Sequence, residues 1–136
     1  MCNLGLWSVL FSVAVLRLPS AVSQAPGGTA HVHFYRYKQF YGSLSKPSIY
    51  CDGSEIIRMR NGGLYDLEMS PGPHTCYSND RQAGAAFTAE AGKDYYLRTD
   101  IVNTAISKAH FRLMLVPLEQ GEYEIKGLAR VDRKSK

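Results

Sequence analysis

Two histidines one residue apart are the first place to look for chemistry. His31-Val32-His33 lies in the alternating run AHVHFYRY. Residues i and i+2 of a strand project from the same face, so two imidazoles there could share a cation. A metal centre needs a third and usually a fourth ligand. His74, His110, Asp66 and Glu68 are the available donors, and no spacing in the chain gathers them. The expectation is therefore two histidines on the solvent face of a strand, with no cofactor.

Other catalytic patterns are thin. No Gly-x-Ser-x-Gly elbow surrounds any serine, and Walker, dinucleotide and zinc-type cysteine spacings are absent. Asp66 with Glu68, and Glu122 with Glu124, are paired carboxylates. On a strand the first pair shares one solvated face, and glycoside hydrolysis would need two carboxyl groups set across a cleft. Aromatic residues give the better lead. Tyr35, Arg36, Tyr37, Phe40 and Tyr41 gather around one strand end and its loop, beside Lys38. An aromatic and basic rim of this kind binds glycan rings or a protein partner, because tyrosine joins a flat apolar body to a polar tip. The competing arrangement has about half of these tyrosines closing the sandwich edge.

The elements that would position these residues begin after a leader. In residues 1–23, Leu4 to Leu16 is almost unbroken apolar sequence, shorter than the roughly 20 residues a spanning helix needs. Pro19 and the small residues after it fit a secretory signal peptide. Ala21-Val22-Ser23 would place cleavage before Gln24, and Ser23-Gln24-Ala25 would place it before Pro26. The start of the leader carries no Lys or Arg, so an uncleaved anchor is the alternative. No cysteine follows the apolar run, which argues against a lipid anchor. Export gives a periplasmic or extracellular location. Cys2 would leave with the leader, and Cys51 with Cys76 would remain. A cysteine pair in an exported domain suggests a disulfide, worth roughly 3–4 kcal/mol for a loop of about 25 residues. Two buried free thiols are the other reading.

The chain has 136 residues, 45% hydrophobic and 21% charged, with a formal net charge of +4. One globular domain is expected, and the charge is too mild to argue for nucleic acid. After a flexible lead-in over residues 24–29, short alternating runs follow at eight-to-twelve-residue intervals, with turn residues between them. The densest stretch is Lys46 to Tyr77, a meander of strands reversed at Asp52-Gly53, Asn61-Gly62-Gly63 and Pro71-Gly72-Pro73. Further strands are expected over Ala85 to Glu90, Asp94 to Val102 and His110 to Val116. Glu119 to Leu128 reads as one short helix that Gly121 weakens by about 1 kcal/mol. Residues 129–136 read as a basic, disordered tail. The pattern predicts an all-β fold: an antiparallel β-sandwich of about seven strands over residues 30–128.

The succession of motifs is familiar. An aromatic strand ends in Tyr35-Arg36. A Pro-Ser-strand-Asp-Gly hairpin follows over Pro47 to Ile56, then the Asn61-Gly62-Gly63 turn and the Pro71-Gly72-Pro73-His74-Thr75 corner. Ala91-Gly92-Lys93 then leads into Tyr95-Tyr96-Leu97-Arg98. This order resembles the exported bacterial domain of unknown function 2846. It is similar, more distantly, to PEGA-type and carboxypeptidase-regulatory-type modules with a transthyretin-like (prealbumin-like) sandwich. The resemblance covers roughly residues 30–128. It implies a small exported or lipid-anchored β-sandwich with no established activity, and it brings no catalytic residues. The expected function is a non-catalytic exported module that binds a protein, a peptide or an envelope polymer, without nucleic acid and without stable membrane insertion once the leader is removed. The alternative is a small metal-dependent hydrolase using His31 and His33.

Overall fold

The computed structural model describes residues 27–102 and 109–133. The expected leader, its cleavage sites and the last residues of the basic tail lie outside the described residues. Among those residues the chain forms two sheets and one short helix. The strands are β1 (Ala30–Tyr35), β2 (Ser48–Cys51), β3 (Ser54–Arg58), β4 (Gly63–Met69), β5 (Gly72–Tyr77), β6 (Ala85–Ala89), β7 (Asp94–Val102), β8 (His110–Val116) and β9 (Ala129–Arg130), with α1 (Leu118–Glu124) between β8 and β9. The fold is the all-β sandwich that the turn spacing predicts, with two more strands than expected.

The larger sheet has the order β8-β7-β1-β4-β9, and the smaller has β3-β2-β5-β6. The smaller is wholly antiparallel. The larger is mixed, because β1 pairs parallel to β7 and β4 pairs parallel to β9. The expectation of a purely antiparallel sandwich is corrected on this point. Parallel neighbours need a long connection between them, and here the whole smaller sheet is built between β1 and β7. The Lys46–Tyr77 stretch is likewise not a simple meander. β2 and β3 form a hairpin, but β4 crosses to the larger sheet beside β1, and β5 returns to pair with β2.

Local chemistry accounts for the turns. Asp52 and Gly53 both adopt positive φ, 51° and 83°, which is what a two-residue hairpin of this type requires. Asp52 also accepts hydrogen bonds from the Thr75 amide at 3.0 Å and from His74 at 2.6 Å, while the other His74 nitrogen reaches the Ser70 carbonyl at 2.6 Å. Burial lowers the affinity of the His74 ring for its second proton, but the bonds to Asp52 and Ser70 outweigh it and leave the ring's pKa raised. Cys51 and Cys76 face each other directly across β2 and β5 and are joined as a disulfide. The reading as two free thiols is therefore set aside.

The core lies between the sheets. Alternation along β1 sends Ala30, Val32 and Phe34 inward, all fully buried, against Ile49, Met59, Phe87, Leu97 and Leu113. A second, smaller apolar cluster covers the outer face of the larger sheet. It joins Tyr35, Leu64, Tyr96 and Val116 with Ile125 and Leu128. The helix that carries this cover is shorter than predicted. It ends at Glu124, and Gly127 then takes φ 84° and turns the chain back. The disordered tail is corrected too. Ala129–Arg130 form β9 against β4, and Val131 is buried in the main core. A two-residue strand flanked by charge carries almost no periodic signal.

Gly121 is more than a weak point in α1. A Cβ there would lie 2.1 Å from Cγ of Tyr96, so only glycine lets the helix rest on the tyrosine ring. Ala is the better helix former by about 1 kcal/mol, yet overpacking costs about 1–3 kcal/mol and more where backbone must move. Gly121→Ala is expected to lower stability by about 2 kcal/mol, read by urea unfolding. A stabilised variant would show that α1 does not sit on Tyr96.

Candidate functional site

Strand alternation continues one residue past β1 and points Arg36 inward. Its side chain is fully buried, at the end of the core next to Phe111, whose ring centroid lies 5.0 Å from the guanidinium carbon. Burial pushes the Arg36 guanidinium below its ordinary pKa, though arginine keeps its proton in proteins. The charge is met by two carbonyls. Nη1 donates to Ser45 O and Nη2 to Gly42 O, each at 2.7 Å. Both belong to the loop that joins β1 to β2, so the buried cation folds this loop over itself.

Other contacts fix the same loop. Gly42 has φ 68°, and a Cβ there would come within 2.8 Å of Ile101 Cδ1. The Ser43 amide donates to Phe40 O at 3.3 Å and the Ser45 amide to Gly42 O at 3.0 Å. At its base the Asn61 side chain accepts from the Gln39 amide and donates to the Gln39 carbonyl, both at 2.8 Å. What the loop displays is apolar. Phe40 is 88% exposed, Tyr41 73% and Leu44 95%, with the two rings edge to face at 5.8 Å.

The predicted aromatic rim therefore splits. Phe40 and Tyr41 are at the surface as expected. Tyr35 and Arg36 are buried and cannot form a rim, because Tyr35 lies under α1 and Arg36 enters the core. Tyr37 is half-buried beside them, edge-on to Tyr35 and beneath the Arg98 guanidinium. Leu44 was not legible as a member. An isolated leucine in the polar run Gly42-Ser43-Leu44-Ser45 is a faint signal, since an apolar residue with no apolar neighbours at strand spacing has no core face to join.

The outer face of the larger sheet carries a network of titratable residues. Arg98 forms a two-point pair with Asp100, at 2.9 and 3.1 Å, and reaches Glu124 of α1 at 2.9 Å. Glu124 also accepts from Tyr35 and from Gln120. Burial alone would raise the Glu124 carboxyl, but the bonds from Tyr35, Tyr37, Gln120 and Arg98 outweigh it and hold it at about 2. Burial first, then Glu124, pushes the Tyr35 hydroxyl up. Each of these charged side chains is turned to another, and the set fastens the helix to the sheet.

The histidines meet carboxylates instead of each other. His33 stacks on Tyr96 at 4.7 Å and places its two ring nitrogens 2.5 Å from Asp66 and 2.9 Å from Asp94. Asp66 is also held by Arg130. His31 is exposed, 4.0 Å from Glu68. His74 is on the smaller sheet and His110 on the outer edge strand β8, so neither can join His31 and His33. Among the described residues no group of three or more His, Cys, Asp or Glu side chains is placed to hold a metal ion. A cavity of about 500 Å³ opens between the edge strand β3 and residues 132–133, lined by Lys46, Glu55, Ile57, Arg58, Arg60 and Arg133. Its charges are of both signs, and Arg58 pairs with Glu55.

Two outcomes test this geometry. Arg36→Met leaves the Ser45 carbonyl without its donor and the Gly42 carbonyl with the Ser45 amide alone, and a buried acceptor left unsatisfied costs about 1–3 kcal/mol. Hydrogen exchange at the Ser43 and Ser45 amides is expected to accelerate more than in β1. Unchanged protection at those two amides would show that Arg36 does not hold the loop. For Glu124 the folded pKa lies below the ordinary 4.5. Its contribution is complete above that ordinary value and is lost as pH falls through about 2. Glu124→Gln should therefore flatten the fall in melting temperature between those limits, and a profile parallel to wild type would refute the assignment.

No curated protein matches the chain in sequence. The sequence model of the family described as "Protein of unknown function (DUF2846)" matches residues 26–111. The matched stretch contains both sheets up to the start of β8, including the Arg36-held loop, and ends before α1 and β9. The chain belongs to the DUF2846 family.

Proposed function

We propose that the chain is a non-catalytic, exported binding module that docks through the Phe40–Leu44 loop tip. One observation carries the reading: three large apolar side chains are displayed at 73–95% exposure on a loop whose shape is held by a buried arginine. Exposed apolar groups are ordinary when scattered, but a contiguous set on a rigid protrusion marks an interaction site. Rigid presentation also lowers the ordering cost of association. The export part of the reading rests on the leader-like residues 1–23 and on the Cys51–Cys76 disulfide, since disulfides persist in oxidising compartments. The non-catalytic part rests on how the polar groups are used. His33, Asp66, Asp94, Arg98, Asp100 and Glu124 are each bonded to one another, α1 or a neighbouring strand, which occupies the groups a reaction would use.

The test is a triple substitution, Phe40→Ser with Tyr41→Ser and Leu44→Ser. These side chains touch little of the fold, so the melting temperature should stay within about 2 °C of wild type, as for surface changes generally. Fractionation of chemically cross-linked cells should move the protein from envelope-associated complexes to the free pool. Identical fractionation of wild type and variant would remove the loop tip from the function.

A further inference from the structure

We propose that the Phe40–Leu44 tip inserts into the interface of an anionic lipid bilayer. The inference rests on the docking reading above and names its occupant. Three features of the loop select a lipid surface over a protein groove.

The first is charge. No Asp or Glu occurs in the chain before Asp52, so the whole loop is free of acidic side chains. Lys38 and Lys46 flank the tip, both exposed, and the Arg36 guanidinium lies beneath it. Basic residues beside an apolar insertion are drawn to the negative surface of anionic lipids. The second is residue type. Phe, Tyr and Leu at the tip, with lysines set back, is the arrangement that places rings and aliphatic groups at the headgroup boundary and leaves ammonium groups among the phosphates.

The third is the loop backbone. The acyl region offers no hydrogen bonds, so bonds made within a loop favour the part of it that reaches the acyl boundary. Here part of the loop's polar backbone is met within the protein: the carbonyls of Phe40, Gly42 and Ser45 are taken, by the Ser43 amide, by the Ser45 amide with Arg36, and by Arg36 again. A loop that binds a protein has no such need, because the partner can supply donors. The tip is also small: three side chains are far less than the area a stable protein pair requires, whereas shallow insertion beside lysines needs no more.

Insertion is read at the loop itself in the full chain. Trp7 is the sole tryptophan, so Phe40→Trp in a Trp7→Phe background places one fluorophore at the tip. With vesicles containing phosphatidylglycerol its emission should shift to the blue, and brominated acyl chains should quench it. Pure phosphatidylcholine vesicles should produce an apparent affinity at least about tenfold weaker. Lys38→Glu with Lys46→Glu should erase that difference, and Tyr41→Ser with Leu44→Ser should abolish the shift. Emission that stays at the solvent position with both vesicle types overturns the lipid proposal. If the triple-serine variant nevertheless leaves the envelope complexes, docking stands and the occupant is a protein groove. If neither readout responds, the docking reading falls with it.

Discussion

A guanidinium taken wholly out of water must be given acceptors, and Arg36 dictates much of this molecule's surface through that requirement. An isolated buried charge is far more costly than any single contact can recover, and this one sits where β1 leaves the core. The nearest carbonyls it can recruit are those of the following loop. The loop must therefore curl back within hydrogen-bond reach, Gly42 must take a left-handed turn against Ile101, and residues 40, 41 and 44 are left on the outside of the curl. The display of apolar side chains to solvent follows from the accommodation of a charge within.

The same tension between burial and polarity shapes the opposite side of the larger sheet. Strand β1 has the sandwich core on one face and, toward its end, α1 on the other. Its outward residues His31, His33 and Tyr35 each meet a carboxylate, respectively Glu68, Asp66 with Asp94, and Glu124. A cluster of Arg, Glu, Asp, His and Tyr within a few ångströms would ordinarily suggest catalysis, because perturbed groups collect at active sites. Here the perturbation comes from mutual saturation under a helix. Glu124 is held low because it receives bonds from several donors, and a carboxylate so occupied is a poor base.

Sequence and structure agree where one physical signal dominates. Asp52-Gly53 specifies its turn because few other pairs tolerate positive φ at both positions, and the inward face of β1 is written in its alternation. What stayed hidden depends on pairing at long range. Nothing in β7 announces that it lies parallel to β1, and nothing in Ala129–Arg130 announces a strand. Gly121 looked like a helix defect because its reason, the Tyr96 ring, lies on another element. Proximity and residue type group Tyr35 and Arg36 with Phe40 and Tyr41. Proximity in sequence does not separate the last core residues of a strand from the first free residues of a loop. Two causes separate them: alternation that sends residue 34 inward also sends residue 36 inward, against the surface preference of its charge, while Tyr35 faces outward and is buried only because α1 covers it.

The disulfide has a consequence for how the domain withstands damage. It joins adjacent strands of the smaller sheet, but the segment it closes leaves that sheet, contributes β4 to the larger one, and returns. A protease that severs any one bond between residues 52 and 75 therefore releases no fragment. Both halves stay covalently linked, β4 remains threaded between β1 and β9, and the cut ends can re-register. Nicking at a turn such as Asn61-Gly62 would show as two bands only after reduction, and the cut domain would stay one covalent piece.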